Sequence, residues 1–250
     1  MNRVALVTGA AGGLGQAVAG RLAADGWALI LSSRDEQRLS SVHNKLLGDG
    51  HLQVTADCST AAGARRILES AKASQMLPTA LAHCVGNIRL GAVHRMSETD
   101  FNECLSANLI SAFHTLAAFV GALREANSPG AAVLVSSAAA RIGTPNHEAV
   151  AAAKAGVEGL VRGTAATYAA NGIRVNAVAP GIMETPAASR ILGTSAGREA
   201  AARQYPLPGI GTPDELAELI VWLLSARATR VTGQVWSLDG GFSSIRPLVK

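Results

Sequence analysis

Aromatic and charged residues are scarce in this 250-residue chain. Phe, Trp and Tyr together make up 4% of the residues and charged residues 16%, so a folded core must consist mostly of Ala, Val, Leu and Ile. Cysteine is also scarce, with three residues whose odd number and spacing match no disulfide framework or metal site. With no signal peptide ahead of the first apolar segment, this composition predicts a reducing, cytoplasmic location and no bound metal.

Long hydrophobic runs and clusters of basic residues are absent as well. No uninterrupted apolar run reaches the roughly 18 residues that span a bilayer, although the mean hydropathy of +0.23 is high. The net charge is +4, but Lys and Arg are scattered along the chain, whereas nucleic-acid binding requires them to cluster. We therefore predict that the protein binds neither a membrane nor a nucleic acid. The high hydropathy is then explained by buried strands and by contacts between subunits.

Short apolar segments alternate with helical patterns along the whole chain. Apolar runs predict strands at residues 4–8, 27–31, 52–55, 80–84, 131–136, 173–178 and 234–238. Helical spacing predicts helices at residues 14–24, 35–47, 101–125, 147–170 and 213–225. Such alternation is typical of βαβ units with a parallel sheet, and continuously apolar strands indicate that both faces are covered. The sequence therefore predicts an α/β fold in one domain over residues 1–250, a Rossmann-type doubly wound parallel sheet of about seven strands with helices on both faces.

Two further stretches have an unusual composition. Residues 189–205 have the least regular pattern and are predicted to form a mobile helical lid. Residues 149–165 are nearly all Ala, Gly and Val, and such small residues let helices approach closely. This helix packs either on the sheet alone or also against another subunit. We favour the second because the small residues occupy more than one side, which predicts a homo-oligomer, a dimer or a tetramer.

A glycine-rich turn follows the first predicted strand and leads into the first helix. Its sequence over residues 9–15 is GAAGGLG. Glycine is required where the backbone turns tightly and where a pyrophosphate approaches the chain, and the helix N-terminus offers free N–H groups. The spacing is G-x-x-x-G-x-G, not the G-x-G-x-x-G of the best-known fingerprint. Because a strand precedes it and a helix follows, we interpret Gly9, Gly13, Leu14 and Gly15 as a dinucleotide-binding turn.

The end of the second predicted strand indicates which dinucleotide is bound. An acidic residue there holds the ribose hydroxyls of NAD, whereas a nearby Arg accepts the 2′-phosphate of NADP. Here Ser33 ends the strand without an acid and Arg34 follows at once, so these residues predict NADP(H). The alternative is that Arg34 is an ordinary surface arginine. Asp57, after the third strand, is placed to contact the adenine edge.

The order of these and later motifs resembles that of the short-chain dehydrogenase/reductase family, and most closely the pattern of its 3-oxoacyl-(acyl carrier protein) reductases. The matching segments, which cover essentially the whole chain, are residues 8–15, Val135-Ser136-Ser137, residues 176–181 with Thr185, and Asp239-Gly240-Gly241-Phe242. The resemblance implies catalytic roles for Asn108, Ser137 and Lys154. It also implies cofactor contacts at Cys58, Gly86, Lys154, Pro180, Gly181, Ile182 and Thr185.

The resemblance breaks at two places. The family's Asn-Asn-Ala-Gly motif reads His83-Cys84-Val85-Gly86 here; because that motif mainly stabilises the central sheet, cofactor binding should tolerate the change. The family's catalytic Tyr-x-x-x-Lys reads Val150-x-x-x-Lys154. Position 150 also stands thirteen residues after Ser137, the family's spacing from Ser to Tyr. The register is therefore secure, and Val150 replaces the residue that gives the proton.

His147 is the strongest candidate for a substitute proton donor. It lies seven residues before Lys154 and so on the same helix face, a spacing at which some enoyl reductases of the superfamily carry their Tyr. An imidazole can donate a proton. With Thr144 or Asn146 as the helix cap, however, His147 falls in the first turn, where the helix dipole favours the neutral form. His147 is therefore either the proton donor or a polar substrate contact.

Three other residues are weaker candidates for that role. Glu148 is predicted to point to a different face of the helix, Tyr168 to pack at its far end, and Tyr205 to reach the pocket only when the lid closes. General acid catalysis is typically worth 10²–10⁴-fold. Without a substitute donor, a reductase with Val150 should therefore be slow but not inactive.

Two functions remain open on the sequence alone. The first is an NADPH-dependent reductase of a carbonyl or enoyl group on a small-molecule or acyl-chain substrate, using Ser137, Lys154 and Asn108, with or without His147. The second is a family member that binds the cofactor but has lost its chemistry, and serves as a partner subunit or a sensor. Val150 favours the second. The retained Ser, Lys and Asn favour the first, because a scaffold has no chemical need for them.

Overall fold

The structure is a computed structural model that describes residues 3–246. Its strands are β1 (Val4–Thr8), β2 (Ala28–Ser33), β3 (Leu52–Thr55), β4 (Ala80–His83), β5 (Gly130–Val135), β6 (Ile173–Pro180) and β7 (Val235–Leu238). Its α-helices are α1 (Gly13–Ala24), α2 (Glu36–His43), α3 (Ala61–Ala73), α4 (Glu98–Leu105), α5 (Ser111–Glu125), α6 (Glu148–Tyr168), α7 (Ser189–Leu192), α8 (Ser195–Ala202) and α9 (Pro213–Leu224). A π-helical turn joins α4 to α5 at Ser106–Ile110, and short 3-10 turns lie at Ala138–Ala140, Ala169–Asn171, Pro186–Ala188 and Ala226–Ala228.

All seven strands form one parallel sheet, in the order β3-β2-β1-β4-β5-β6-β7. This confirms the predicted doubly wound sheet. The chain runs outward from β1 to β3 and then crosses to the other side of β1 to form β4, so the direction of winding reverses between β1 and β4. Ligands of such sheets bind outside the carboxyl ends of the strands at this reversal, which here lies beyond Thr8 and His83.

Helices cover both faces of the sheet. On one face α1 and α9 pack together and bury Leu22 and Ile220 completely. On the other face α5 and α6 bury Phe119 and Val161. Because neither face is left to water, all five residues of β1 are buried, which is the physical reason for the continuously apolar strands in the sequence.

Three helices differ from the prediction. Helix α3 is not predicted by the sequence pattern, because it buries few residues and its remaining surface is polar. Helix α2 ends at His43, four residues earlier than expected. The helix predicted at residues 101–125 begins at Glu98, behind a Ser97 cap, and contains the unexpected π-helical turn. The predicted lid consists of the two short helices α7 and α8.

One helical stretch in the described part of the chain, Glu98–Glu125, is long and apolar enough to pass a test for a membrane span on length and hydropathy alone. Its apolar side chains include Leu116, Phe119 and Leu123, which are buried in the core beside the sheet. A core helix of a protein outside the membrane passes the same test. The stretch is therefore accounted for by its packing in this fold.

Candidate active site

Close backbone contacts shape the glycine turn between β1 and α1. Gly9 has a φ of +71°, and a Cβ there would lie 2.8 Å from the backbone of Cys84. A Cβ on Gly15 would overlap the carbonyl oxygen of Gly9. The first N–H groups of any helix have no acceptor within the helix, and α1 also starts without a side-chain cap. The N–H groups of Gly13, Leu14 and Gly15 are therefore available to a ligand. Leu14 offers only its N–H, because its side chain is buried in the core.

A cleft of about 630 Å³, called here the nucleotide cleft, lies beside this turn at the carboxyl edge of the sheet. Its volume falls within the usual range for a small-molecule site. The predicted cofactor residues that line it are Gly9, Ser33, Arg34, Asp57, Cys58 and Gly86. Thr185 does not line the cleft; its side chain lies instead over Gly13, where an added Cβ would come within 3.3 Å of it. The structure thus gathers six of the fourteen predicted cofactor residues around this cleft and puts Thr185 at the lid side of the turn.

Charged side chains line the outer end of the nucleotide cleft. The Arg34 guanidinium lies 3.8 Å from the Asp57 carboxylate. Burial alone would raise the pKa of Asp57, but hydrogen bonds from Ser59 and the Arg34 charge hold it below its ordinary value. Arg38 of α2 also lines the cleft and donates from Nη2 to the Ala11 carbonyl oxygen at 2.9 Å. Sequence reasoning misses Arg38, because its place at the site depends on how α2 lies against the glycine turn.

Lys154 and Asn108 meet in the interior beside Gly86. Lys154 Nζ donates to the Val135 carbonyl oxygen at 2.8 Å, and burial lowers the pKa of Lys154 to about 8. Asn108 lies in the π-helical turn, and its Oδ1 has no hydrogen-bond partner within residues 3–246. A Cβ on Gly86 would lie 2.6 Å from that Oδ1 and 3.3 Å from Lys154 Nζ, so both face one spot. Neither Lys154 nor Asn108 lines the nucleotide cleft or the reaction cavity, and both side chains are buried beside Gly86.

His83 occupies the first position of the altered Asn-Asn-Ala-Gly motif and ties the sheet to α5. Its Nδ1 lies 2.8 Å from Thr8 Oγ1 and its Nε2 lies 3.1 Å from Ser111 Oγ. Ser111 gives its own proton to the Ala107 carbonyl oxygen at 2.7 Å, so Nε2–H donates to Ser111 and Nδ1 accepts from Thr8. Burial, with a smaller contribution from the Lys154 charge, lowers the pKa of His83 to about 3. A neutral imidazole therefore forms a bridge at the point where the strand order reverses.

A second cavity, of about 470 Å³ and called here the reaction cavity, adjoins the nucleotide cleft at the end of β4. Asn87 lines the cleft and the next residue, Ile88, lines the reaction cavity. The predicted residues that line this cavity are Ser137, His147, Val150, Pro180, Gly181 and Ile182. No Asp, Glu, Lys or Arg of the described chain is among its lining residues. Its wall is therefore uncharged and mostly apolar.

The two neighbouring serines at the end of β5 point in different directions. Ser137 lines the reaction cavity, and its Oγ accepts the Ala139 N–H at 3.2 Å, which leaves its own proton available to a ligand. Ser136 is buried instead. Its hydroxyl contacts Glu158 Oε1 at 3.0 Å and the Lys154 carbonyl oxygen at 3.3 Å. The structure therefore places Ser137, and not Ser136, where a substrate carbonyl would bind.

Val150 and His147 face the reaction cavity from the start of α6. Val150 is 5% exposed and packs in an apolar cluster with Cys104, so it offers no proton. His147 is the N-cap residue of α6, not a first-turn residue behind a Thr144 or Asn146 cap, which corrects the prediction. The cause is a left-handed turn at Asn146, with φ +63°, which delays the helix. His147 Nδ1 lies 2.9 Å from the Pro145 carbonyl oxygen, which only accepts, so Nδ1 carries the proton and Nε2 remains for a ligand.

The three weaker candidates are found in different surroundings. Glu148 accepts the Val93 N–H at 3.3 Å and lies outside the reaction cavity. Tyr168 packs against the core, as expected. Tyr205 lines the reaction cavity without any lid movement, which corrects its prediction, because its hydroxyl accepts the Ile182 N–H at 2.7 Å. Burial raises the pKa of Tyr205 above its ordinary value, so this hydroxyl holds its proton firmly.

Within residues 3–246 no group of three or more His, Cys, Asp or Glu side chains is placed to hold a metal ion.

Comparisons with known proteins extend over nearly the whole chain. A sequence profile described as enoyl-(acyl carrier protein) reductase matches residues 9–243. An A-factor type gamma-butyrolactone 1′-reductase (1S-forming) from Streptomyces virginiae is 32% identical, with 97% of this chain and 96% of that protein covered. A 3-oxoacyl-(acyl-carrier-protein) reductase from Thermotoga maritima is 32% identical, with 96% and 97% covered. Among solved structures, a variant of actinorhodin polyketide ketoreductase with NADPH has a TM-score of 0.93 at 25% identity, over 98% of each chain.

Proposed function

Because the chain belongs to the short-chain dehydrogenase/reductase family of oxidoreductases, we propose that it is an NADPH-dependent reductase of a carbonyl or enoyl group. The observation that carries this proposal is the uncharged reaction cavity, in which Ser137 and His147 face the backbone of residues 180–182 next to the nucleotide cleft. A hydrogen-bond donor for a carbonyl oxygen and a group that holds a proton thus lie beside a dinucleotide-sized cleft.

The residues around the nucleotide cleft fit a bound NADPH. The free N–H groups at the start of α1 suit the pyrophosphate. Lys154 Nζ, close to Gly86 at the wall of the cleft, suits a ribose hydroxyl. Arginine at the outer end of the cleft suits the 2′-phosphate. When bound, NADPH supplies the hydride.

The reaction cavity favours a neutral substrate with an apolar body. No Lys or Arg of the described chain lines it, so a carboxylate or phosphate inside it could pair only with a protonated His147, and a buried charge without a partner is costly. Two of the relatives are named as a γ-butyrolactone 1′-reductase and a 3-oxoacyl-(acyl-carrier-protein) reductase, and we follow these two. We therefore propose a ketone on a small neutral molecule or on an acyl chain as the substrate, with an enoyl group as the alternative within the same cavity.

Ser137 and His147 divide the work at the substrate oxygen. Ser137 donates its free hydroxyl proton to the carbonyl oxygen and so stabilises the negative charge that develops there. Val150 has no proton to add. His147 supplies it from Nε2 when the imidazole is protonated, whereas the neutral ring, with its proton on Nδ1, can only accept at Nε2. Reduction therefore requires the imidazolium, and the reverse oxidation of an alcohol requires the neutral imidazole.

The test is turnover of NADPH with neutral β-keto, enoyl and quinone compounds. We expect reduction of a ketone. His147→Asn should lose about 10²–10⁴-fold of the activity, the usual contribution of a general acid, while NADPH affinity stays unchanged. His94→Asn, at an exposed position outside both cavities, is the control and should behave like the unmodified chain.

Two results would contradict the proposal in different ways. Unchanged turnover in His147→Asn would exclude His147 as the proton donor. Tight NADPH binding without turnover of any compound class would favour the other function, a cofactor-binding partner subunit or sensor. Val150 is the residue that makes this second outcome worth testing.

Assembly and location complete the proposal. Phe113 is 49% exposed on α5, and a Cβ on Gly159 or Gly163 of α6 would meet nothing within 4 Å. This apolar, open surface supports a homo-oligomer, a dimer or tetramer, built through α5 and α6. Phe113→Glu should then shift the mass measured by light scattering towards the monomer, and a monomeric unmodified chain would contradict the proposal.

The three cysteines are free thiols, in keeping with a cytoplasmic location.

A further inference from the structure

The nucleotide cleft has a second arginine, on α2, that lies closer to the glycine turn than its position in the sequence suggests. Arg38 Nη2 donates to the carbonyl oxygen of Ala11 at 2.9 Å, across 27 residues of chain. Ala11 and Arg38 both line the nucleotide cleft. The guanidinium is therefore fixed against the same turn whose N–H groups suit the pyrophosphate.

Arg34, which the motif assigns to the 2′-phosphate, is less well placed to hold an anion. Its side chain is 76% exposed, and its only carboxylate neighbour in the described chain is Asp57, at 3.8 Å. A phosphate that approached Arg34 would also approach the Asp57 carboxylate, so part of the attraction would be cancelled by repulsion. Ordering an exposed arginine also costs side-chain entropy.

Arg38 is also an exposed residue, but its side chain is already ordered and forms no ion pair within the described chain. Its guanidinium is already held by Ala11, and no carboxylate within residues 3–246 forms an ion pair with it. Asp35 lies nearby as the cap of α2, but its carboxylate accepts the backbone N–H of Arg38 at 3.0 Å. The bond to Ala11 uses one of five guanidinium N–H groups, and the others can form the paired hydrogen bonds that a phosphate accepts.

We propose that Arg38, and not Arg34, is the principal ligand of the 2′-phosphate and so sets the preference for NADPH over NADH. The inference rests on the proposed use of NADPH and adds to it the residue that decides the selectivity. A purely structural role is the competing explanation, since Arg38 also ties α2 to the glycine turn. That role would affect phosphorylated and unphosphorylated ligands alike, which makes the two explanations separable.

The experiment measures binding of 2′,5′-ADP and 5′-AMP by calorimetry, with NADPH and NADH as the second pair. We expect Arg38→Ala to weaken 2′,5′-ADP by about 10- to 100-fold, the range for a charge-assisted hydrogen bond, and to leave 5′-AMP within about twofold. Arg34→Ala should weaken 2′,5′-ADP by less than about fivefold, as for an exposed ion pair. Arg65→Ala, an exposed position on α3 outside the cleft, is the control and should change neither ligand.

Each contrary result has a distinct meaning. An equal loss of both ligands in Arg38→Ala, or a larger loss in Arg34→Ala, would overturn the inference and leave the NADPH proposal intact. If the unmodified chain bound 2′,5′-ADP no better than 5′-AMP, the NADPH proposal would fail and this inference with it. Should Arg38→Ala not fold, Arg38→Met keeps the aliphatic stem, removes the charge, and is expected to show the same selective loss.

Discussion

The nucleotide cleft and the reaction cavity are neighbours, yet they are built in different ways. The cleft depends on backbone: a left-handed Gly9, a Gly15 without room for a Cβ, and the free N–H groups at the start of α1. The reaction cavity depends on the side chains of Ser137, His147 and Val150. We therefore expect a change of side chain at position 150 to affect the proposed chemistry more than the cleft.

The two regions also differ in charge. Arg34, Arg38 and Asp57 line the cleft, whereas no Asp, Glu, Lys or Arg of the described chain lines the reaction cavity. The proposed dinucleotide, which is charged, and the proposed neutral substrate would thus be held by opposite means. Cofactor binding and substrate chemistry should consequently respond to different substitutions, and the predictions below test that separation.

The largest expected effect is in the reaction cavity. Ser137→Ala should lower kcat by about 10²–10³-fold, because the developing oxyanion loses a positioned donor, with NADPH affinity and stability unchanged. Ser136→Ala is the matched control one residue away. It should destabilise the fold by about 1–3 kcal/mol, because the buried Glu158 carboxylate loses a donor. A loss of NADPH affinity in Ser137→Ala would show that the two regions are not separable.

An intermediate effect is expected at the glycine turn. Gly15→Ala should destabilise the fold by about 1–3 kcal/mol, the usual cost of overpacking, since its Cβ overlaps the Gly9 carbonyl oxygen. Gly20→Ala lies on the same helix with nothing within 4 Å of its Cβ, and should stabilise it by up to about 1 kcal/mol. Chemical unfolding measures both. Equal effects of the two substitutions would contradict the close packing of the turn.

The smallest expected effect concerns the bridge beneath the cleft. The pKa of His83 is about 3 in the folded chain against an ordinary value of 6.5, so below pH 6.5 only the unfolded chain takes up the proton. As the pH falls below 6.5, the free energy of unfolding should therefore decrease by about 1.4 kcal/mol per pH unit. At pH 5 the loss is about 2 kcal/mol. His83→Asn removes this contribution, and unfolding at pH 7 and pH 5 compares the two chains. An identical loss in both would show that His83 is not the cause.

Much of the fold and part of the site follow from local sequence patterns. Seven continuously apolar runs predict the seven strands. The spacing from Ser137 to Lys154 predicts that Val150 stands at the position of the family's Tyr. Buried parallel strands have this pattern because both faces are covered, and motif spacing is fixed because each motif lies at the end of a strand or on one helix.

The remaining features depend on contacts between distant parts of the chain. Arg38 reaches Ala11 only because α2 packs beside the glycine turn. Tyr205 lines the reaction cavity because its hydroxyl accepts the Ile182 N–H across 23 residues. The left-handed turn at Asn146 moves His147 out of the first helical turn. No local periodicity reports such contacts, so sequence patterns misplace or omit these residues.

Restoring the phenol at position 150 tests most directly whether Val150 limits the chemistry of the reaction cavity while the cleft remains intact. Val150→Tyr and Val150→Phe add an aromatic ring to the same wall and differ only in the hydroxyl. We predict that Val150→Tyr reduces a neutral ketone at least about tenfold faster than Val150→Phe, with equal NADPH affinity. Equal rates in the two variants, or a loss of NADPH binding in both, would contradict the separation of the two regions.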